Sequence, residues 1–164
     1  MKKYTSDGEF LKITEDILNH FKFDKIKEEG HHGITRYEHS LRVAYRSYKI
    51  AKKLKLDYVS VARAGLLHDF FFNYEIPEDK SPYFNHPDRS LINAMKYFNI
   101  NDKEQDIIKK HMFPLNKTGF PKYKESWVVS TVDTAIATVE FASKFKTQLK
   151  LATNLFLIFI FKSF

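Results

Sequence analysis

The sequence predicts an all-α protein, and three observations favour this fold class. Only five glycines and five prolines interrupt the 164 residues, so long segments run without a helix breaker. Apolar residues recur at the spacing of amphipathic helices, whereas the alternation that is typical of strands is nearly absent. Sixteen phenylalanines and nine tyrosines supply much of a hydrophobic core. We therefore expect one compact helical bundle over residues 1–164.

Helix start and stop signals place the predicted elements along the chain. Asp57 is expected to cap the third helix and Asp88 the fourth. Asp102 and Gln105 together form a capping box for the fifth. The stretch 70–87 contains three of the five prolines and is predicted to be a long loop. The third helix is predicted to follow Asp57 and to end at the His68-Asp69 pair, and the other predicted helices cover about residues 8–27, 36–54, 89–98, 102–111 and 126–139.

Composition limits the chemistry that is available to the protein. The chain has no cysteine, which excludes disulfides, thiolate metal sites and a cysteine nucleophile. A metal ion would have to be held by His, Asp and Glu, and such ligands favour Zn, Fe, Mn, Ni or Mg. The first ten residues start with two lysines after Met1 but contain no apolar stretch of the kind found in secretory signals. We therefore expect a cytoplasmic protein.

The formal net charge of +7 raises the question of nucleic-acid binding. Lysines and arginines are scattered among acidic residues, and no RNA-binding signature accompanies them. A solvated basic surface is the favoured interpretation, so we expect no nucleic-acid partner. The same positive field would attract a small anionic substrate such as a nucleotide.

The C-terminal segment 149–164 contains an unbroken apolar run over residues 155–161. The run is too short to span a bilayer easily, so we expect no membrane span. Three interpretations remain: a packed terminal helix or strand, a contact between the two chains of a homodimer, and an anchor on a membrane surface. The packed and dimeric interpretations are favoured.

The strongest functional signal is a series of His and Asp residues beside or within apolar helical stripes. An unpaired buried polar group costs roughly 1–3 kcal/mol, so several of them together require a partner. A divalent metal would satisfy all of them at once, and converging helices are a common way to build such a site. The candidate ligands are His39, His68, Asp69, His86, His111 and Asp133.

Each candidate ligand also has an ordinary structural interpretation. The pair 68–69 can be a chance dipeptide at a helix end, and His39 and Asp133 can be exposed helical residues. His111 can be a cationic C-cap that interacts with the helix dipole. His86 can be a loop histidine before a proline.

The ordered series resembles the HD superfamily of metal-dependent phosphohydrolases over about residues 35–140. Members of that superfamily carry an early His, an adjacent His-Asp pair and a late Asp, which match His39, His68 with Asp69, and Asp133. His86 and His111 match the branches that bind two metals, in which Asp69 would bridge the ions. The resemblance is greatest to small, largely uncharacterised bacterial HD proteins. It implies a bundle of the HD-domain type with one or two divalent ions.

The resemblance also implies metal-assisted hydrolysis of a phosphate ester or anhydride. The substrate would be a small phosphorylated molecule such as a nucleotide. His68 and Asp69 would be the catalytic pair, with Asp69 both ligating metal and accepting a proton from water. The cations expected to hold phosphate oxygens are Arg36, Arg42, Arg89 and Lys117. Each of these four can equally be a solvated surface charge.

One departure from the family pattern narrows the reaction class. Several HD branches carry a Lys or Glu shortly after the catalytic Asp, whereas here residues 70–73 are Phe-Phe-Phe-Asn. This disfavours cyclic-dinucleotide phosphodiesterases and 5′-deoxynucleotidases. The three phenylalanines are expected either to wall a pocket and stack on a nucleobase or to pack in the core.

Two other functions remain open. Some HD proteins use the same His-rich ligand set to bind two irons and activate oxygen on a small polyol or phosphonate. A non-catalytic module that senses a nucleotide is the other alternative.

Overall fold

A computed structural model describes residues 3–31, 34–76, 82–115 and 119–162, without the side chains at 3, 5, 31, 82–84 and 149–162. These ranges contain eight α-helices, three short 3₁₀ helices and one hairpin of two-residue strands, which confirms the all-α prediction. The α-helices are α1 (Gly8–Ile13), α2 (Glu15–Leu18), α3 (Phe21–Asp24), α4 (Arg36–Lys53), α5 (Tyr58–Leu67), α6 (Pro82–Tyr97), α7 (Asp102–Lys110) and α8 (Lys124–Lys162). The 3₁₀ helices are Lys3–Ser6, Lys25–Glu28 and Asn73–Glu75. Strands β1 (Gly30–His31) and β2 (Ile34–Thr35) pair antiparallel just before α4.

The centre of the bundle is the packing of α4 on α5. A Cβ atom added at Gly65 of α5 would lie 2.8 Å from the Ala44 Cα atom of α4, so only glycine allows this approach. Helix α8 covers α4, α5 and α7, and α6 packs on α7. This arrangement brings α4, α5 and α8 together over one core, with α7 against α5 and α8.

The hydrophobic core takes residues from nearly every helix. Burying each large apolar side chain stabilises the fold by about 1.5–3 kcal/mol relative to leaving it exposed. The fully buried members include Phe10, Phe23, Val43, Leu66, Leu67, Phe70, Ile107, Ile108 and Val129. Among the described residues, one hydrophobic cluster runs from the N-terminal helices to α8.

The prediction of one helix over residues 8–27 was wrong. The segment folds as α1, α2, α3 and a 3₁₀ helix, because local side chains compete with the helical hydrogen bonds. The Thr14 hydroxyl donates to the Phe10 carbonyl at 2.7 Å where α1 ends. His20 caps α3, because its Nδ1 atom accepts a hydrogen bond from the backbone NH of Lys22 at 3.2 Å.

The predicted loop over residues 70–87 was too long. Helix α6 already begins at Pro82, so Asp88 lies inside a helix and is not its cap. Proline suits the first position of a helix, where its missing NH removes no hydrogen bond. Because α6 begins at Pro82, His86 and Pro87 both lie within the helix, near its start.

The predicted cap of α5 is confirmed, whereas the predicted capping box of α7 is wrong by one residue. Asp57 caps α5 as predicted, accepting from the backbone NH of Ser60 at 3.1 Å. The capping box of α7 consists of Asn101 and Glu104, one residue before the predicted pair. Each of these two side chains accepts a hydrogen bond from the other residue's backbone NH.

Helix α8 begins two residues before the predicted start and continues to Lys162. Residues 141–148 are all exposed. The apolar side chains of segment 149–164 lie outside the described residues, so its three interpretations remain predictions. Among the residues that the structure describes, no helix combines the length and apolar character needed to cross a membrane.

Candidate metal centre

Six acidic and imidazole side chains converge in the interior of the bundle. They come from α4, the C-terminal end of α5, α6, the C-terminal end of α7 and α8. None of the six is more than 7% exposed. They form three overlapping groups whose ligand atoms lie within 4.8 Å of one another: His39, His68 and Asp69; His68, His111 and Asp133; Asp69, His86 and His111.

His39, in the first turn of α4, lies between two carboxylates of α8. Its Nε2 atom is 2.9 Å from Asp133 Oδ1, and its Nδ1 atom is 2.8 Å from Glu140 Oε2. Thr35 caps α4 by accepting from the backbone NH of Glu38, which fixes the helix start at Arg36, three residues before His39. The two contacts of His39 with Asp133 and Glu140 therefore join α4 to α8 through buried polar groups.

His68 and His111 are held in the same way at the ends of α5 and α7. Nδ1 of His68 donates to the Gly65 carbonyl at 2.8 Å, and Nδ1 of His111 donates to the Ile108 carbonyl at 2.8 Å. Both carbonyls are three residues earlier and lack helical partners at a helix end. Each bond leaves Nε2 as the ring nitrogen directed at the cluster.

Asp69 lies at the centre of the cluster, with its two oxygens toward different histidines. Its Oδ2 atom is 3.7 Å from His68 Nε2. Its Oδ1 atom is 3.1 Å from His86 Nε2 and 3.6 Å from His111 Nε2. This is the placement that a bridging carboxylate requires.

His86 completes the second half of the cluster from α6. Its Nε2 atom is 2.8 Å from the Nε2 atom of His111. Its ring stacks on Phe71, with the ring centroids 5.1 Å apart. The stacking fixes the ring plane, and the helical start at Pro82 places His86 in the second turn of α6.

Neighbouring carboxylates and burial shift the pKa values of the histidines in opposite directions. Burial lowers the pKa of His39, but its hydrogen bonds to Asp133 and Glu140 outweigh burial and raise that pKa to about 10. Burial, together with the charges of His68 and His86, lowers the pKa of His111 to about 3. Although burial opposes ionisation of Asp133, the imidazoles of His39 and His68 hold its pKa well below the usual range.

The donor set fits one or two divalent cations. Among the described residues His68 Nε2 is buried without a hydrogen-bond partner, 3.6 Å from Asp133 Oδ1. The Nε2 atoms of His86 and His111 face each other at 2.8 Å. Because the Nδ1 atom of His111 donates to the Ile108 carbonyl, Nε2 of a neutral His111 ring offers a lone pair there. A cation would satisfy these buried groups together, and imidazole with carboxylate suits Zn, Fe, Mn or Ni, with Mg less favoured.

A family model described as the HD domain matches residues 36–134, which is more than half of the chain. The chain belongs to the HD domain family. HD domains are a superfamily of metal-dependent phosphohydrolases and bind divalent metals. Comparison with curated proteins gives no match, and neither does comparison with solved structures.

The four cations that the sequence predicted to bind substrate have different surroundings in the structure. Arg36 is buried and donates to the Phe71 carbonyl at 2.7 Å and to Asn73 Oδ1 at 3.1 Å. Arg42 donates to Glu140 at 3.0 Å. Arg89 is half-buried on α6, and Lys117 lies outside the described residues. The substrate role of all four stays a prediction, and Arg36 and Arg42 already have protein acceptors.

The three phenylalanines after the His-Asp pair pack inside this HD domain. Phe70, Phe71 and Phe72 are 0%, 5% and 4% exposed. Phe71 lies between the Arg36 guanidinium, 3.7 Å from its ring centroid, and the His86 ring. Their burial favours the core-packing interpretation over stacking on a nucleobase.

Sequence reasoning missed Glu140, which contacts His39 directly. Glu140 is 6% exposed and lies on the same side of α8 as Asp133, seven residues or two turns later. The signal was present in the sequence, because an acidic residue that continues the stripe of Val132 and Ile136 is unusual.

Proposed function

We propose that this HD protein hydrolyses a phosphate ester or anhydride bond in a small, nucleotide-like substrate. The observation that carries the proposal is the position of Asp69, whose two oxygens face two different sets of histidines. A carboxylate shared between two ligand sets suits a centre with two cations, which is the arrangement of many phosphate-cleaving enzymes.

The proposed roles follow from the positions of the side chains. Bound divalent cations would supply Lewis acidity and water activation near neutral pH. His39, His68 and Asp133 would hold one ion, His86 and His111 the other, and Asp69 both. Asp69 would also accept the proton of the attacking water, because it is the carboxylate nearest to both sets.

Charge supports an anionic substrate. The chain carries a formal net charge of +7, which raises the local concentration of phosphorylated molecules at low salt. Arg89, on the same helix as His86 and three residues after it, is the cation we assign to the phosphate.

A di-iron oxygenase is the second candidate, and the ligand count favours it equally. Four histidines and two aspartates also suit two irons. Oxygen uptake by the iron-loaded protein with a polyol or phosphonate separates the two reactions, because a hydrolase consumes no oxygen.

The test of hydrolysis is turnover of p-nitrophenyl phosphate and a panel of nucleotides by metal-reconstituted protein. We expect Asp69→Asn to lower kcat at least about 100-fold, since even residues behind metal ligands contribute 10–100-fold. Asp106→Asn is the matched control, because Asp106 is also buried but bonds Ser126 at 2.7 Å outside the cluster.

Two outcomes would contradict parts of this proposal. Activity retained in Asp69→Asn would contradict the catalytic role of Asp69, although the hydrolysis itself would stand. A wild type that binds metal and nucleotides but turns over none of the panel would favour the sensor function instead.

A further inference from the structure

We propose that Glu140, itself held by Arg42, is a positioning residue that presents His39 to the metal centre. The inference rests on the metal centre of the proposed function and adds to it a residue that touches no metal ion. It is carried by two side-chain contacts between α4 and α8 and by the burial of the groups that make them.

The first contact orients the imidazole. Glu140 Oε2 lies 2.8 Å from Nδ1 of His39, and the two side chains are 5% and 0% exposed. A carboxylate can only accept, so Nδ1 carries the hydrogen and donates it. Nε2 instead faces the cluster, 2.9 Å from the candidate ligand Asp133, and is the nitrogen that would give up its proton to bind a cation.

The second contact orients the carboxylate. The other oxygen of Glu140, Oε1, accepts from the Arg42 guanidinium at 3.0 Å. Each oxygen of the carboxylate thus has its own donor, which fixes the plane of the group. An isolated buried carboxylate would be costly, and the charge of Arg42 offsets that cost.

The helical register produces the arrangement. His39 and Arg42 are three residues apart on α4 and therefore lie on one face. Asp133 and Glu140 are two turns apart on α8 and face them. The orientation of His39 consequently depends on side chains of another helix, whereas His68 and His111 are oriented by carbonyls of their own helices.

The experiment measures zinc affinity by competition with a chelator in the full-length chain. We expect Glu140→Ala to weaken zinc binding about 10- to 100-fold and Glu140→Gln to weaken it less, because the amide oxygen still accepts from Nδ1. Glu104→Gln is the matched control, since Glu104 is also buried and paired with an arginine, at 2.9 Å from Arg63. Its zinc affinity should equal that of the wild type.

Nitrogen-15 NMR of the histidine rings in the zinc-loaded wild type supplies a readout that needs no variant. We expect the His39 signals to show a protonated Nδ1 and a zinc-bound Nε2. If Glu140 variants fail to fold, Arg42→Gln replaces them, because Arg42 is 36% exposed in its side chain. It should weaken zinc binding in the same direction as Glu140→Gln.

The outcomes separate this inference from the proposed function. A wild type that binds neither zinc nor any other divalent metal would overturn both. Zinc binding by the wild type with unchanged affinity in Glu140→Ala, or zinc on Nδ1 of His39, would overturn the positioning role alone. An equal loss of affinity in Glu104→Gln would show that any buried acid matters and would also overturn it.

Discussion

At the scale of single residues, the histidines differ in what fixes their tautomer. His68 and His111 donate Nδ1 to backbone carbonyls, so substitution of a neighbouring side chain cannot remove their orientation. His39 has a carboxylate on each nitrogen, and it holds a proton that a cation must displace. This difference has a consequence for the pH dependence of metal binding.

We predict that zinc binding at pH 7 releases at least one proton per chain. The pKa of His39 is raised to about 10, so at pH 7 the ring is protonated on both nitrogens and must lose one proton to bind at Nε2. His111, with a pKa lowered to about 3, is already neutral and releases none. The apparent affinity should therefore rise with pH up to about 10. Calorimetric titrations in two buffers of different ionisation enthalpy count the protons, and a count of zero would mean that His39 does not ligate.

At the scale of secondary-structure elements, the close approach of α4 and α5 sets the distance between His39 and His68. Gly65 permits that approach, and its carbonyl accepts the hydrogen bond from His68. One glycine therefore serves both the packing of two helices and the orientation of a candidate metal ligand.

We predict that Gly65→Ala destabilises the fold by about 1–3 kcal/mol, because the new methyl group meets the Ala44 backbone at 2.8 Å. Zinc affinity should fall as well, since the helices that carry His39 and His68 must separate. Gly8→Ala is the control, because a Cβ atom at Gly8 would meet nothing within 4 Å. Urea unfolding measures the first effect, and a variant as stable as the wild type would mean that the α4–α5 contact can relax at no cost.

The sequence predicted the helices whose apolar residues recur with a strong helical period. It did not predict features that depend on single local residues or on contacts between distant parts of the chain. Helices α4 and α5 and the cap at Asp57 agree with the pattern of apolar residues. The predicted start of α6 was wrong because three prolines in the stretch 70–87 indicate a loop, whereas Pro82 begins the helix. Glu140 was missed because its partner, His39, is 101 residues away in the chain and only the packing of α4 on α8 brings them together.

At the scale of the whole molecule, the bundle directs two helix C-termini at one point. The His-Asp pair follows the last turn of α5, and His111 follows the last turn of α7. The C-terminal end of a helix carries a partial negative charge, so both helices favour a cation at the cluster. The remaining candidate ligands come from the first turn of α4, the second turn of α6 and from α8. The C-terminal ends of α5 and α7 are therefore electrostatically suited to a divalent ion.

The most direct test of this account is the metal content of the reconstituted chain, measured by elemental analysis on wild type and His86→Ala together. We predict two metals per wild-type chain and one per His86→Ala chain, because His86 belongs only to the group with Asp69 and His111. Retained helical content in the variant would show that the loss is local. Two metals in both proteins would remove His86 from the centre, and no metal in either would contradict the central claim that the cluster is a metal site.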